Sequence, residues 1–125
     1  MANPDIALSA YLRLAAISHE RGQWLPRNKF LILAGDAACR EGLLTIADRC
    51  RALVLSNNHV HMIGRFDSFS AALKSAEFQT YLKQQRKFCS VERAEHLLIG
   101  QGETLIAATE ESADRWLRAM AGESP

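Results

Sequence analysis

Few residues of this chain have the type and spacing for chemistry. The first pair is His59-Val60-His61. In an extended loop, residues i and i+2 present their side chains to the same side, and two imidazoles so placed are workable metal ligands. A third or fourth ligand would have to come from His96, Glu92, Asp67 or a cysteine. The competing expectation is structural: His59 and His61 satisfy loop carbonyls, or meet the negative end of a helix dipole. Metal signatures of the helical kind, His-Glu-x-x-His or Glu-x-x-His, are missing. The sequence therefore calls for no cofactor and assigns no catalytic residue. His59, His61 and His96 stay as candidate metal ligands.

Cys39, Cys50 and Cys89 have no Cys-x-x-Cys spacing, and the first two fall on apolar helix faces. Buried thiols of this kind are structural as a rule and fit a reducing cytoplasm better than a disulfide scaffold. A Cys-His nucleophile pair or a zinc site including His96 can be drawn. Cys89 is the most reactive candidate, because Ser90 would cap a helix whose N-terminus lowers the pKa of a neighbouring thiol. Lys83-Gln-Gln-Arg-Lys87 with Arg93 is a small basic patch beside Tyr81 and Phe88. Aromatics among cations can stack bases, but Glu77, Glu92 and Glu95 dilute the charge, which argues for a solvated helix face over a nucleic-acid site. Gly100-Gln-Gly102 lacks the strand and the Lys-Ser/Thr of a phosphate loop.

The elements that position these groups read as helices. Asn3-Pro4 opens a first helix reaching about Arg21, with Ala7, Ala10, Tyr11, Leu14 and Ser18 inward and Gly22 at its end. Trp24-Leu25 is expected to fold back as an apolar plug before Pro26 starts the second helix. Gly42 stands where a left-handed residue would close that helix. Leu43, Ile46, Ala47, Cys50, Leu53 and Val54 then follow the i, i+3, i+4, i+7 pattern of a one-faced helix running to about Ser56. Asn57 to Arg65 reads as the one long loop. Asp67 or Ser68, then Ser75, Ser90 and Thr109, are placed to cap four further helices. Between Gly102 and Thr109, residues 103–108 fit strand or helix equally.

Residues 28–61 resemble one tetratricopeptide-type helix pair, with Gly35 where a neighbouring helix must approach, Gly42 at the turn, Leu44 at a large position and Ala47 at a small one. Arg51 and His59 depart from that pattern, and no second copy lies 34 residues away. The whole chain also resembles a family of short bacterial helical proteins of no assigned activity, on Asn57-Asn58-His59, Met62-Ile63-Gly64 and Glu92-Arg93-Ala94-Glu95-His96-Leu97-Leu98. That resemblance implies an all-helical fold and brings no residue with a known role.

With 125 residues, 48% apolar and 23% charged, the chain is sized for one globular domain with its own core. Residues 101–125 are a candidate semi-independent C-terminal segment. The formal charge of +1 covers a mild asymmetry: Arg13, Arg21, Arg27 and Lys29 face only Glu20 near the start, whereas residues 103–123 hold five acids against Arg115 and Arg118. Neither end is charged densely enough to point to nucleic acid or an anionic membrane. No apolar stretch has membrane-spanning length, and the N-terminus lacks a basic, then apolar, leader. The expectation is a cytoplasmic, all-α antiparallel bundle of five to seven helices. Its expected role is non-enzymatic, a small adaptor or assembly module binding another protein, with a second copy of the chain as an alternative partner. Long loops in compact helical domains are uncommon unless they bind something. The contact surface is therefore expected to include the 57–66 loop, through His59, His61, Arg65 and Phe66, with Trp24 as a second aromatic anchor.

Overall fold

The computed structural model describes residues 6–122. The helices are α1 (Ala7–Glu20), α2 (Trp24–Arg40), α3 (Leu44–Asn57), α4 (Phe69–Ala72), α5 (Ala76–Phe88), α6 (Val91–Gly100) and α7 (Glu110–Met120). A 3-10 turn, Met62–Arg65, lies between α3 and α4. The fold is all-α and forms one domain. The expected opening at Asn3-Pro4 lies outside the described residues.

The helices α1, α2 and α3 follow one another through two three-residue turns, which forces antiparallel neighbours. Both turns close in the same way. At the second, Gly42 takes φ +77°, and the Leu43 N–H donates to the Ala38 carbonyl at 2.8 Å. A residue with a Cβ is strained at that φ, and the bond satisfies a carbonyl that the helix end leaves unpaired. The turn at Gly22 repeats this geometry, with Gln23 N–H on the Ser18 carbonyl.

The sandwiched helix α2 is buried without a break from Phe30 through Ala38. The helix α3 instead buries one stripe, Ile46, Ala47, Cys50, Leu53 and Val54, which face α2 and α7. Serine hydroxyls cap α4, α5 and α6, each accepting from the N–H three residues on, at Ser68, Ser75 and Ser90. Thr109 and Ser112 form a reciprocal capping box at α7. The helix α7 returns to pack against α1 and α3, and α6 against α1.

Gly35 does make a close approach, and its neighbour is Phe69 of α4. Asp48 of α3 accepts the Phe69 N–H at 2.9 Å and fixes where α4 begins. Two expectations are corrected here. Trp24 and Leu25 do not plug the core: they are the first two residues of α2, and Pro26 lies within its first turn, where a missing N–H costs nothing. Residues 103–109 are neither strand nor helix, and contain no turn or bend.

Candidate functional site

At one end of the bundle a buried arginine organises three helices. Arg27, 3% exposed, lies one turn beyond Trp24 on α2. Its Nη2 donates to the Leu53 carbonyl of α3 at 2.8 Å, and Nη2 and Nε both reach Asn28 Oδ1 at 3.2 Å. Its Nη1 lies 3.1 Å from His19 Nδ1 of α1. A guanidinium can only donate, so His19 Nδ1 is the acceptor and that imidazole is neutral. Burial and the Arg27 charge both push its pKa below the ordinary 6.5. Asn28 Nδ2 then donates to Asn57 Oδ1 at 2.7 Å, tying the second turn of α2 to the last turn of α3.

This network supports Trp24. The Arg27 guanidinium lies 5.1 Å over the indole, and the His19 ring meets it edge-on at 5.1 Å. The indole is thus held on two sides and still 44% exposed. Leu25 beside it is 69% exposed. Since α3 ends at the same end of the bundle, the turn that follows it, with His59 and Val60 exposed, lies there too. Trp24 and Leu25 at the start of α2, and His59 and Val60 after α3, are thus exposed at the same end of the bundle.

Beyond Val60, His61, Met62, Ile63 and Phe66 turn inward, while Gly64 and Arg65 stay exposed. The chain makes a turn over His59-Val60, so the two imidazoles do not share one extended side. His61 caps the 3-10 turn: its Nδ1 accepts from the Ile63 N–H at 3.0 Å, and its Nε2 lies 3.0 Å from the Tyr81 hydroxyl. Because Nδ1 accepts, the proton of the neutral ring is on Nε2, which donates to Tyr81. Burial lowers the His61 pKa and raises that of Tyr81 to about 12. Phe66 is half-buried, its ring edge-to-face with Phe78 at 5.9 Å, and its carbonyl accepts from Arg51. Arg65 pairs with Glu77 at 3.0 Å on the surface. His96 is exposed on α6. No group of three or more His, Cys, Asp or Glu able to hold a metal occurs among the described residues.

The cysteines are free and held as thiols. Burial is the largest cause at each, raising Cys39 to about 11 and pushing Cys50 and Cys89 upward. The expected activation of Cys89 by the α6 terminus is thereby corrected: desolvation outweighs the favourable charge of Arg93, and the thiol is 2% exposed.

A cleft of about 370 Å³ opens between α1, α2 and the α5–α6 junction. At its floor Asp36 of α2 receives Arg86 at 2.9 Å and Arg40 at 3.3 Å, and the Tyr11 hydroxyl donates to the Cys89 carbonyl at 2.9 Å. These groups satisfy one another and clamp α5 to α2. With Glu41 and Glu92 on its walls, the charged lining of the cleft is three carboxylates against Arg40 and Arg86.

No family model matches the chain, and neither a curated protein nor a solved structure matches it. Sequence reasoning singled out Trp24 and His59 but missed Leu25, Val60 and the Arg27 network. A signal was present in the His19, Trp24, Arg27 spacing: one helix end followed by the next helix start places an aromatic between two nitrogen-bearing side chains.

Proposed function

We propose that this protein is a small non-enzymatic adaptor or assembly module that binds another protein, and that the contact face is the bundle end carrying Trp24, Leu25, His59 and Val60. One observation carries the reading: an indole 44% exposed is nonetheless contacted on two sides, by the His19 ring and the Arg27 guanidinium. An aromatic held by its neighbours loses little entropy on docking, and tryptophan is enriched among the few residues that dominate interface energetics. The chemistry elsewhere supports a binding role. The thiols are held protonated, His61 has both ring nitrogens engaged in structure, and Asp36 is neutralised by two arginines.

No helix of the described residues is long and apolar enough to cross a membrane. The partner surface that fits is an apolar pocket able to take an indole and a leucine, rimmed by acceptors for the exposed His59. The test is a photo-reactive amino acid placed at Leu25, at Val60, and, as controls, at Lys83 and Glu111 on other faces. The expected result is the same discrete adduct from positions 25 and 60 only. Equal labelling from all four positions would overturn the reading.

A further inference from the structure

The support of Trp24 depends on the protonation state of one side chain. His19 lies in the last turn of α1 and is half-buried. Its Nδ1 accepts from Arg27 Nη1 at 3.1 Å while its ring meets the indole edge-on. Nδ1 can accept only while it carries no proton. Once protonated, the imidazolium has two donors and no acceptor, and faces a guanidinium at hydrogen-bond distance. Arg27 is the fixed partner: it is 3% exposed and tied to the Leu53 carbonyl and Asn28 Oδ1. Arginine also keeps its charge at ordinary pH. The half-buried His19 ring is therefore the partner that moves. The other charges nearby do not hold an imidazolium inside. Glu20 and Arg21, which follow it on α1, are both exposed, and Glu20 favours the cation while Arg27 of α2 opposes it. From Ala52 to Asn57, α3 carries no charge, and His59 beyond it is exposed. On α7, Arg115 and Arg118 pair with Glu111 and Asp114, and α6 brings Glu92 to Tyr11, eight residues earlier on α1. An imidazolium turned outward gains water and the negative end of the α1 dipole.

We propose that His19 is a proton-operated latch on Trp24: neutral, it holds the indole from one side while bonded to Arg27; protonated, it swings outward and frees that side of the ring. The latch stands on this geometry, and its effect on docking rests on the reading of the Trp24 end of the bundle as the contact face. The held indole is the docking form, so acidification weakens partner capture. Burial and the Arg27 charge keep the His19 pKa below 6.5, so the ring is neutral near neutral pH and the switch lies on the acid side. One proton shifts such a balance by at most about tenfold per pH unit, which makes the response graded.

The test uses Trp116→Phe, in which Trp24 is the only indole. Quenching of its fluorescence by acrylamide is followed from about pH 8 to about pH 5, where histidine titrates, over the range in which circular dichroism is unchanged. It should rise in a single-proton step centred below 6.5, by up to about twofold because the indole starts 44% exposed. His19→Gln keeps an acceptor for Arg27 and cannot titrate. In that variant the step should vanish, whereas His59→Gln and His61→Gln should keep it. A flat quenching profile overturns the proposal, and so does a step that persists in His19→Gln. The photo-adduct formed from position 60 supplies the docking arm: acid should weaken it several-fold in the wild type and leave it in His19→Gln. Equal weakening in both overturns the control of docking by His19. An adduct at no pH overturns the contact face instead, and the quenching profile then decides the latch by itself.

Discussion

The ring of Phe69 fills the space into which a side chain at Gly35 would project. Phe69 is fully buried and edge-on to Phe78 at 5.7 Å, so it has no room to retreat. Gly35→Ala should therefore cost about 1–3 kcal/mol by overpacking, against the usual gain in helix propensity from that change. Adding Phe69→Leu to Gly35→Ala should recover part of the loss, because the two sites share one volume. Denaturant unfolding of the four combinations measures this, and strictly additive effects would show that the ring and the glycine are independent.

The turn at Gly42 makes a second prediction. With φ at +77° and nothing near the missing Cβ, a substitution there meets strain in the backbone and no clash. Gly42→Val should lose more than about 1 kcal/mol, and Gly42→Asn, which tolerates the left-handed region, distinctly less. Equal melts for wild type and Gly42→Val would remove the closing turn between α2 and α3.

Much of this architecture was legible in the sequence, because its signals are local. Gly22 and Gly42 end helices by backbone geometry, Ser68, Ser75, Ser90 and Thr109 start them by capping, and the Leu43–Val54 stripe has a helical period. What escaped was long-range. Nothing near Trp24 in sequence says that Leu53 offers a carbonyl to Arg27 or that Asn57 meets Asn28, so the position of Leu25 on the surface was not readable. The same holds for Phe66, whose partner Phe78 turns it inward. Residues 103–109 escaped for a different reason: Leu, Ile and Ala suit strand and helix alike, and the segment is shaped by its anchors at Ser9 and Leu98.

His61 separates structure from surface within one loop. Its cap on Ile63 makes His61→Ala cost about 0.5–2 kcal/mol, the range for a lost N-cap. His59, exposed beside it, should leave the melting temperature unchanged when replaced by alanine.

His61 also sets a pH dependence. Its folded pKa lies below the ordinary 6.5, so between those two values the unfolded chain binds a proton that the folded chain does not. Stability is then full above about 6.5 and falls as pH drops through the window below it. His19 acts in the same direction. Thermal melts from pH 8 to pH 5 should show the decline, and it should be shallower in His61→Gln; an unchanged slope in that variant would contradict the neutral, capping tautomer.

Leu53 lies on the buried stripe of α3 and also lines the groove against Leu117 and Met120 of α7. Leu53→Ala should cost about 2–5 kcal/mol through lost burial and a residual cavity. A loss under half of the lower bound, by chemical denaturation, would place α7 off that face.

The measurement that bears most directly on a binding role at the Trp24 end of the bundle is Leu25→Asp, assayed for stability and for partner capture in the same preparation. An acid in the first turn of α2 is favoured by the helix dipole, and Leu25 is 69% exposed, so the melt should hold or rise. The adduct formed by a photo-reactive residue at Val60 should disappear in that variant. Retention of the adduct with an unchanged melt would contradict the account, because Leu25 would then contribute nothing to the contact.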